Sequence, residues 1–397
     1  MTSYSVAGDG TWSQVTTPDG VTHKELFHTT GWQTGLAYQT EVWSGGERRK
    51  WTTTAWTQDN TGVEYQMNPR PYDISIYDEA GNRRRTDITY TSYGLPYEIR
   101  EYSADGSGYG GFLRRTYTDY RFDQAFIDRR IIGLPSVRQV FDENNALVSK
   151  VDYYYDWGSD FLTGLPQAAT QHDDANYGAG FIVGRGNLVS ERRYDINYPN
   201  DYTRASDSYR KYNVTGSVAI LMDHYFRSTR LSYADSFSDG VGRNTSAYPT
   251  TITDPDNFSS TAQYNYDTGA VTRSQDPKGA VETRNYYPDG RVEQVTNQTN
   301  GAYTRWVYPA AHHYAVSYTM VQAGASEVVS VQFYDSAGRV RAMRTELPGS
   351  VGGYRGIHYM NDVMGRRTWA TNPTEIDGSW YTRGDDAMPG YFPNGWN

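Results

Sequence analysis

Residues able to do chemistry are plentiful in this 397-residue chain, but their spacing satisfies no catalytic or metal-binding pattern. The seven histidines are His23, His28, His172, His224, His312, His313 and His358. His23 and His28 are five apart in HKELFH, off the i, i+4 spacing with which a helix presents two zinc ligands, and no HExxH occurs. On a strand His312 and His313 would point to opposite faces, so they are expected not to chelate together. The adjacent acids Asp173-Asp174 and Asp385-Asp386 stand in glycine-containing, loop-like sequence. Glycosidase chemistry needs two carboxyls about 5 or about 6.5–9.5 Å apart in space, which spacing along a chain does not supply. DPDN at 254–257 lacks the ligand spacing and closing Glu of a calcium loop. There is no GxSxG elbow and no phosphate-binding glycine loop. With no cysteine there are no thiolate ligands, thiol nucleophiles or disulfides. The expectation is a protein that is not an enzyme, with no catalytic residue, cofactor or metal site. Sequons at Asn213, Asn244, Asn257 and Asn297 matter only in a glycosylating host.

The elements that would carry these residues follow from composition. Leu, Ile, Val and Phe are scarce, which with high net charge would signal disorder, yet 46 acids against 37 bases leave only −9. The missing apolar mass is aromatic: 37 Tyr and 10 Trp, rings with apolar bodies and polar tips. Tyr, Trp and Thr favour pleated surfaces, so the chain is expected to be all-β. The longest apolar run is 218–222, far short of the roughly 20 residues a membrane helix needs, so no membrane span is expected. The opening MTSYSVAGDG shows no secretion signal. A pI near 5.3 argues against nucleic acid as a partner, and the bases alternate with acids and aromatics instead of forming a stripe.

Internal similarity organises the rest. Residues 264–292 read YNYDTGAVTRSQDPKGAVETRNYYPDGRV, a strand-and-turn event that occurs twice, with Tyr266 and Tyr287 one 21-residue period apart. Its turns are expected at Asp267 to Gly269, at DPKG (Asp276, Pro277, Gly279) and at PDG, where Gly290 and Arg291 follow Tyr287. Related words are YDEAGNR with Tyr77, Asp78 and Gly81, YDSAGRV with Tyr334, Asp335, Gly338 and Arg339, and also FDENNAL, YNVTGSV, FSDGVGR and MNDVMGR. The Asp accepts backbone N–H bonds from the turn, the Gly takes its positive φ, and the Tyr is expected at the last strand position. Each word therefore encodes a hairpin.

Alternation supports strands between the turns: Val329, Val331 and Phe333 share one face, as do Tyr314, Val316, Tyr318 and Met320, and Trp51, Thr53, Ala55 and Thr57. Segment 218–225 reads equally as a short helix or a strand. GLP at 94–96, 133–135 and 164–166 is expected to open strands at a sheet edge, since Pro removes a ladder donor. No linker separates domains. The reading is a divergent repeat-like region over 1–193, clearer repeats over 194–373 and a loop-rich tail over 374–397, expected to form one continuous architecture.

In these words the chain resembles the YD-repeat proteins, also called the rearrangement-hot-spot or RHS family, which includes bacterial polymorphic toxins, cocoon components of insecticidal toxin complexes, and teneurins. The resemblance rests on YDEAGNR, YNYDTGAVTRSQDPKGA, YYPDGRV and YDSAGRVRAM, and is strongest over 194–373. It implies stacked antiparallel β-hairpins forming a curved or spiral β-sheet shell, with a β-propeller as the alternative. It also implies a non-enzymatic, extracellular or cell-surface scaffold that encloses or presents another polypeptide segment, such as a toxin effector. After Asn372-Pro373 no DPxG-type core segment is recognisable, so self-cleavage and toxin activity are not carried over. The alternative function is carbohydrate binding or adhesion, because exposed Tyr and Trp stack on sugar rings. Recurrence of Tyr in step with the turns instead favours rings laddered along the sheet.

Overall fold

The structure is a computed structural model that describes residues 2–376 apart from 106–109, 159, 166–167, 310–312, 336, 351 and 363–364. Among the described residues the chain forms 28 strands, two four-residue helices (Gln124–Ile127 and Asp174–Tyr177) and two short 3-10 turns. The all-β expectation holds, and Val218–Met222 is a strand.

The chain divides into two compact units, one of residues up to 166 with Gln171–Thr229, the other of 167–170 with the chain from Arg230 onward. The sequence boundary at 193/194 falls inside the first of these, directly after strand Leu188–Arg193.

In the first unit successive strands pair antiparallel along the chain, with Leu162–Thr163 passed over. The ladder runs from Ser3–Val6 through Glu47–Thr57, Arg83–Tyr90 and Pro135–Phe141 to Leu147–Tyr155. It continues through Leu188–Arg193 and Ser206–Asn213 to Val218–Met222. Leu162–Thr163 instead pairs parallel with Tyr212 and Asn213, taking the side of that strand that Leu188–Arg193 leaves vacant beyond Tyr209. In the second unit the same neighbour-to-neighbour ladder runs from Thr251–Thr253 to Tyr354–Asn361. These ladders continue past the four strands of a propeller blade, so the propeller alternative is not what the pairing builds.

The register sorts chemistry by face. In the first unit Ile88, Ile99, Thr116 and Val140 line up on one face, while Asp87, Arg100, Arg115 and Phe141 line up on the other. The alternating sets from the sequence also meet: Tyr314 faces Phe333, Val316 faces Val331 and Tyr318 faces Val329. Most strand residues are only half-buried. A compact apolar cluster forms where Phe161, Val189 and Tyr212 pack with Leu162 and Val218, beside the parallel strand.

The GLP words behave differently from one another. Pro96 and Pro135 are the first residues of strands Pro96–Asp105 and Pro135–Phe141, opposite Tyr90 and Tyr120. Those strands have partners on both sides and are not sheet edges; Pro is accommodated because the first strand residue has no ladder N–H to lose. The third GLP follows strand Leu162–Thr163, and its Pro166 lies outside the described residues.

Candidate functional site

The recurring unit of this protein is a turn built on one acid. At Asp276 the main-chain N–H donates to the Ala280 carbonyl (3.0 Å), and Gly279 N–H donates to the Asp276 carbonyl (3.0 Å). The carboxylate then accepts the N–H groups of Lys278 (2.9 Å) and Ala280 (2.8 Å). Pro277 sits where φ must be near −65° and no donor is needed, and Gly279 takes φ 87°. The same bonds recur at Asp78, Asp142, Asp223, Asp254 and Asp335, and at Asn213 with its amide oxygen in place of the carboxylate. The Asn82 side-chain amide, with backbone N–H groups behind it, holds the Asp78 carboxyl below the ordinary carboxylate range. Arginine four residues on often completes the unit: Arg339 Nε lies 2.7 Å from Asp335 Oδ2.

The sequence-designated residues fall into three arrangements. Tyr77 and Tyr334 directly precede their anchors Asp78 and Asp335, with Gly81 and Gly338 at the positive-φ position. Around Tyr266 the anchor is instead Asn265, whose side chain accepts the N–H groups of Asp267 and Thr268. Tyr266 and Asp267 lie inside that turn, and a Cβ on Gly269 (φ 68°) would run into the Tyr248 hydroxyl. In the PDG word Tyr287 itself takes the anchor position: its N–H donates to Arg291 O (2.8 Å) and its carbonyl accepts Gly290 N–H (2.9 Å). Asp289 then accepts Arg291 N–H (3.0 Å) and its Nε (2.8 Å). The expectation that Tyr266 and Tyr287 end strands is therefore corrected. Tyr264 and Tyr286 hold those places, because an Asn and a Tyr have each taken the anchor's slot.

What those strand-end tyrosines do was not legible in the sequence. Tyr286 donates its hydroxyl to the carbonyl of Val271, the first residue of the preceding strand (2.8 Å). Tyr120 does the same to Pro96 (2.8 Å) and Tyr212 to Leu188 (2.7 Å), while Tyr264 bonds Pro249 (2.8 Å), two residues ahead of strand Thr251–Thr253, and Tyr90 reaches Pro71, the second residue of Arg70–Asp78. Each ring spans the end of a hairpin and satisfies a carbonyl where a strand begins. Burial pushes the hydroxyls of Tyr90, Tyr120, Tyr212 and Tyr264 above the usual phenol range. The signal that could have found them is a Tyr at the residue before the turn anchor.

Arginine joins rings to carboxylates. Arg48 lies 3.9 Å over the Trp51 ring and 2.9 Å from Glu41. Burial would raise the Glu41 carboxyl, but hydrogen bonds from Trp43, Arg48 and Gln39 outweigh it and hold the group below its ordinary value. Arg305 grips Glu327 at 2.9 and 3.0 Å and lies 3.7 Å over the Tyr318 ring. Planar, permanently charged guanidinium suits both contacts, which gives the predominance of Arg over Lys a structural use.

Among the described residues no three His, Asp or Glu side chains gather as metal ligands. His172 pairs with Asp174 (2.8 Å), while Asp173 caps the short helix through Asn176 N–H (3.1 Å). His28 packs on Tyr38, His224 accepts Asp207 N–H (3.3 Å), and burial lowers His358. His23 and His313 are exposed. His312, Asp385 and Asp386 lie outside the described residues. Asp254 to Asn257 is a hairpin turn of the type above.

No protein-family model and no curated protein matches this sequence. A solved structure does share its fold. The crystal structure of TcdB2-TccC3 superposes with TM-score 0.55 at 8% identity, over 92% of this chain and 28% of that one. A Photorhabdus luminescens Tc holotoxin pore structure covers 92% of this chain and 24% of its own, at 9% identity and TM-score 0.32. This chain thus spans little more than a quarter of TcdB2-TccC3, and what the two have in common is the all-β fold.

Proposed function

We propose that this chain is a YD-repeat scaffold, one stretch of a β-shell that encloses or presents another polypeptide segment and catalyses no reaction. The carrying observation is the neighbour-to-neighbour ladder of hairpins, with the same acid-anchored turn recurring along it at Asp78, Asp142, Asp223, Asp254, Asp276 and Asp335. Such a ladder extends by adding hairpins without changing its internal contacts, as a wall must. The fold likeness to TcdB2-TccC3 and the YD-type words support the same reading. Asp276 is occupied in a turn, Asp173 in a helix cap and His172 with Asp174 in an ion pair, which supports a structural use for these groups. An extracellular or secreted setting and an effector-like cargo belong to this proposal.

The test is protection. The natural full-length polypeptide, or this chain co-expressed with the segment encoded beside it, is digested with a broad-specificity protease. The segment should survive while the same segment expressed alone is degraded. Equal digestion rates, or turnover of a glycoside panel by the chain itself, would overturn the proposal.

A further inference from the structure

Three exposed large rings of the first unit, Trp157, Tyr202 and Phe226, stand around one ion pair. Arg192 and Asp207 stand opposite each other on Leu188–Arg193 and Ser206–Asn213, and Nε and Nη2 of the arginine donate to the two carboxylate oxygens at 2.8 and 2.9 Å. The guanidinium carbon lies 5.6 Å from the Tyr154 ring and 5.7 Å from the Tyr202 ring. Trp157 meets Tyr154 with centroids 5.7 Å apart. Beyond the carboxylate, Tyr209 donates its hydroxyl to Asp207 (2.9 Å) and stacks on Phe226, centroids 5.2 Å apart and planes 15° from parallel. Trp157, Tyr202 and Phe226 are 59%, 66% and 64% exposed. Single exposed rings need no explanation; a contiguous group of them marks an interaction site.

Phe226 supplies a second, independent observation. It occupies the position after Tyr225 in the Asp223 turn where Gly81, Gly216, Gly279 and Gly338 stand in the sister turns, and it takes φ 61°. A bulky residue there is strained by about 1–3 kcal/mol, and with so much of it exposed its own burial does not repay that cost. The turn would fold better with glycine, so the ring is retained for what it presents.

We propose that Trp157, Tyr202 and Phe226 form a binding platform for a neutral oligosaccharide. The pair selects the ligand class. Asp207 locks the orientation of Arg192, and Asp152 stands opposite the arginine on its other side, so its charge is fully compensated and draws no anionic ligand to the platform. Flat apolar faces beside fixed polar groups match pyranose rings, which present C–H faces for stacking and hydroxyls that both donate and accept. The Arg192 guanidinium and the Tyr202 hydroxyl are the polar contacts. The site is independent of the scaffold role, and either can fail alone.

The test uses the whole chain on an array of neutral, sialylated and sulfated glycans, followed by calorimetry with the neutral oligosaccharide bound best. Trp157→Ala and Tyr202→Ala should each weaken binding at least tenfold without lowering the melting temperature. Phe226→Gly should raise the melting temperature and still weaken binding about tenfold, a combination that a purely structural role does not produce. Retention of no neutral glycan, binding confined to charged glycans, or unchanged affinity in Trp157→Ala and Phe226→Gly would overturn the proposal.

Discussion

Trp51 and Tyr77, directly opposite each other on Glu47–Thr57 and Arg70–Asp78, stack with ring centroids 4.7 Å apart and planes 5° from parallel. The Arg48 guanidinium lies over the tryptophan as well, 3.9 Å from its ring. Tyr77 in turn directly precedes the anchor Asp78, so one stack ties strand pairing to turn formation. In a ladder where most residues are half-buried, such contacts replace the two-layer core of a sandwich.

Trp51→Ala should lower the urea midpoint, with a loss of about 2 kcal/mol from the stacked pair and its apolar area. Trp51→Phe keeps a ring opposite Tyr77 and should recover about half of it. Equilibrium unfolding followed by circular dichroism reads both.

Asp276→Ala removes the acceptor for the N–H groups of Lys278 and Ala280 and should cost about 1 kcal/mol. Asp276→Asn should cost less, since Asn213 anchors its own turn through an amide oxygen. Hydrogen exchange at Lys278 and Ala280 should quicken in the alanine variant.

Tyr120→Phe leaves the ring and removes the hydroxyl that bonds the Pro96 carbonyl, with an expected loss of about 1 kcal/mol. The effect should be local. Exchange should rise at the Pro96 end of its strand before it rises elsewhere, and uniform loosening would show that the clasp is not what holds that end.

The acid side of stability has a defined window. Hydrogen bonds from the Arg243 side chain, with the Val241 N–H behind them, hold the Asp239 carboxyl down to about 2. An acid whose folded value is depressed stabilises above its unfolded value, here 3.8, and loses that contribution as pH falls through the folded value. The 239–243 turn should stay ordered at about pH 4 and loosen between there and about pH 2. Amide exchange at Val241 against pH measures it.

Alkali should act through the phenols. Burial pushes Tyr155 up to about 12, and burial with the Asp152 hydrogen bond pushes Tyr194 to about 12. A raised folded value contributes stability in full below the unfolded value of 10.0 and loses it as pH rises through the folded one. Tyrosinate absorbance should therefore lag an unfolded control between about pH 10 and 12. Superimposable titrations would contradict it.

Hairpin words were readable because their chemistry is local. An acid followed by a glycine or asparagine three residues on closes its own turn, so Asp78, Asp276 and Asp335 function within five residues of chain. The same locality misled at Tyr266 and Tyr287. Both follow a tyrosine or its neighbour closely enough to pass for strand ends, and only the backbone bonds show that Asn265 and Tyr287 hold the anchor positions. GLP misled for a different reason, since being at an edge depends on whether a later strand pairs there.

By itself the sequence determined an all-β chain of repeated hairpins, because alternation and turn chemistry act over a few residues and the Tyr surplus recurs with the turns. Tertiary structure decided what those tyrosines touch: Tyr286 reaches Val271 and Tyr120 reaches Pro96, across strand registers that chain spacing does not encode. It also set Tyr202 beside Arg192, Trp157 beside Tyr154 and Phe226 beside Tyr209, residues dispersed along the chain until the pairing of Leu188–Arg193 with Ser206–Asn213 sets Arg192 opposite Asp207. Register is a property of paired strands, and so the ladder was legible before folding while the site it builds was not.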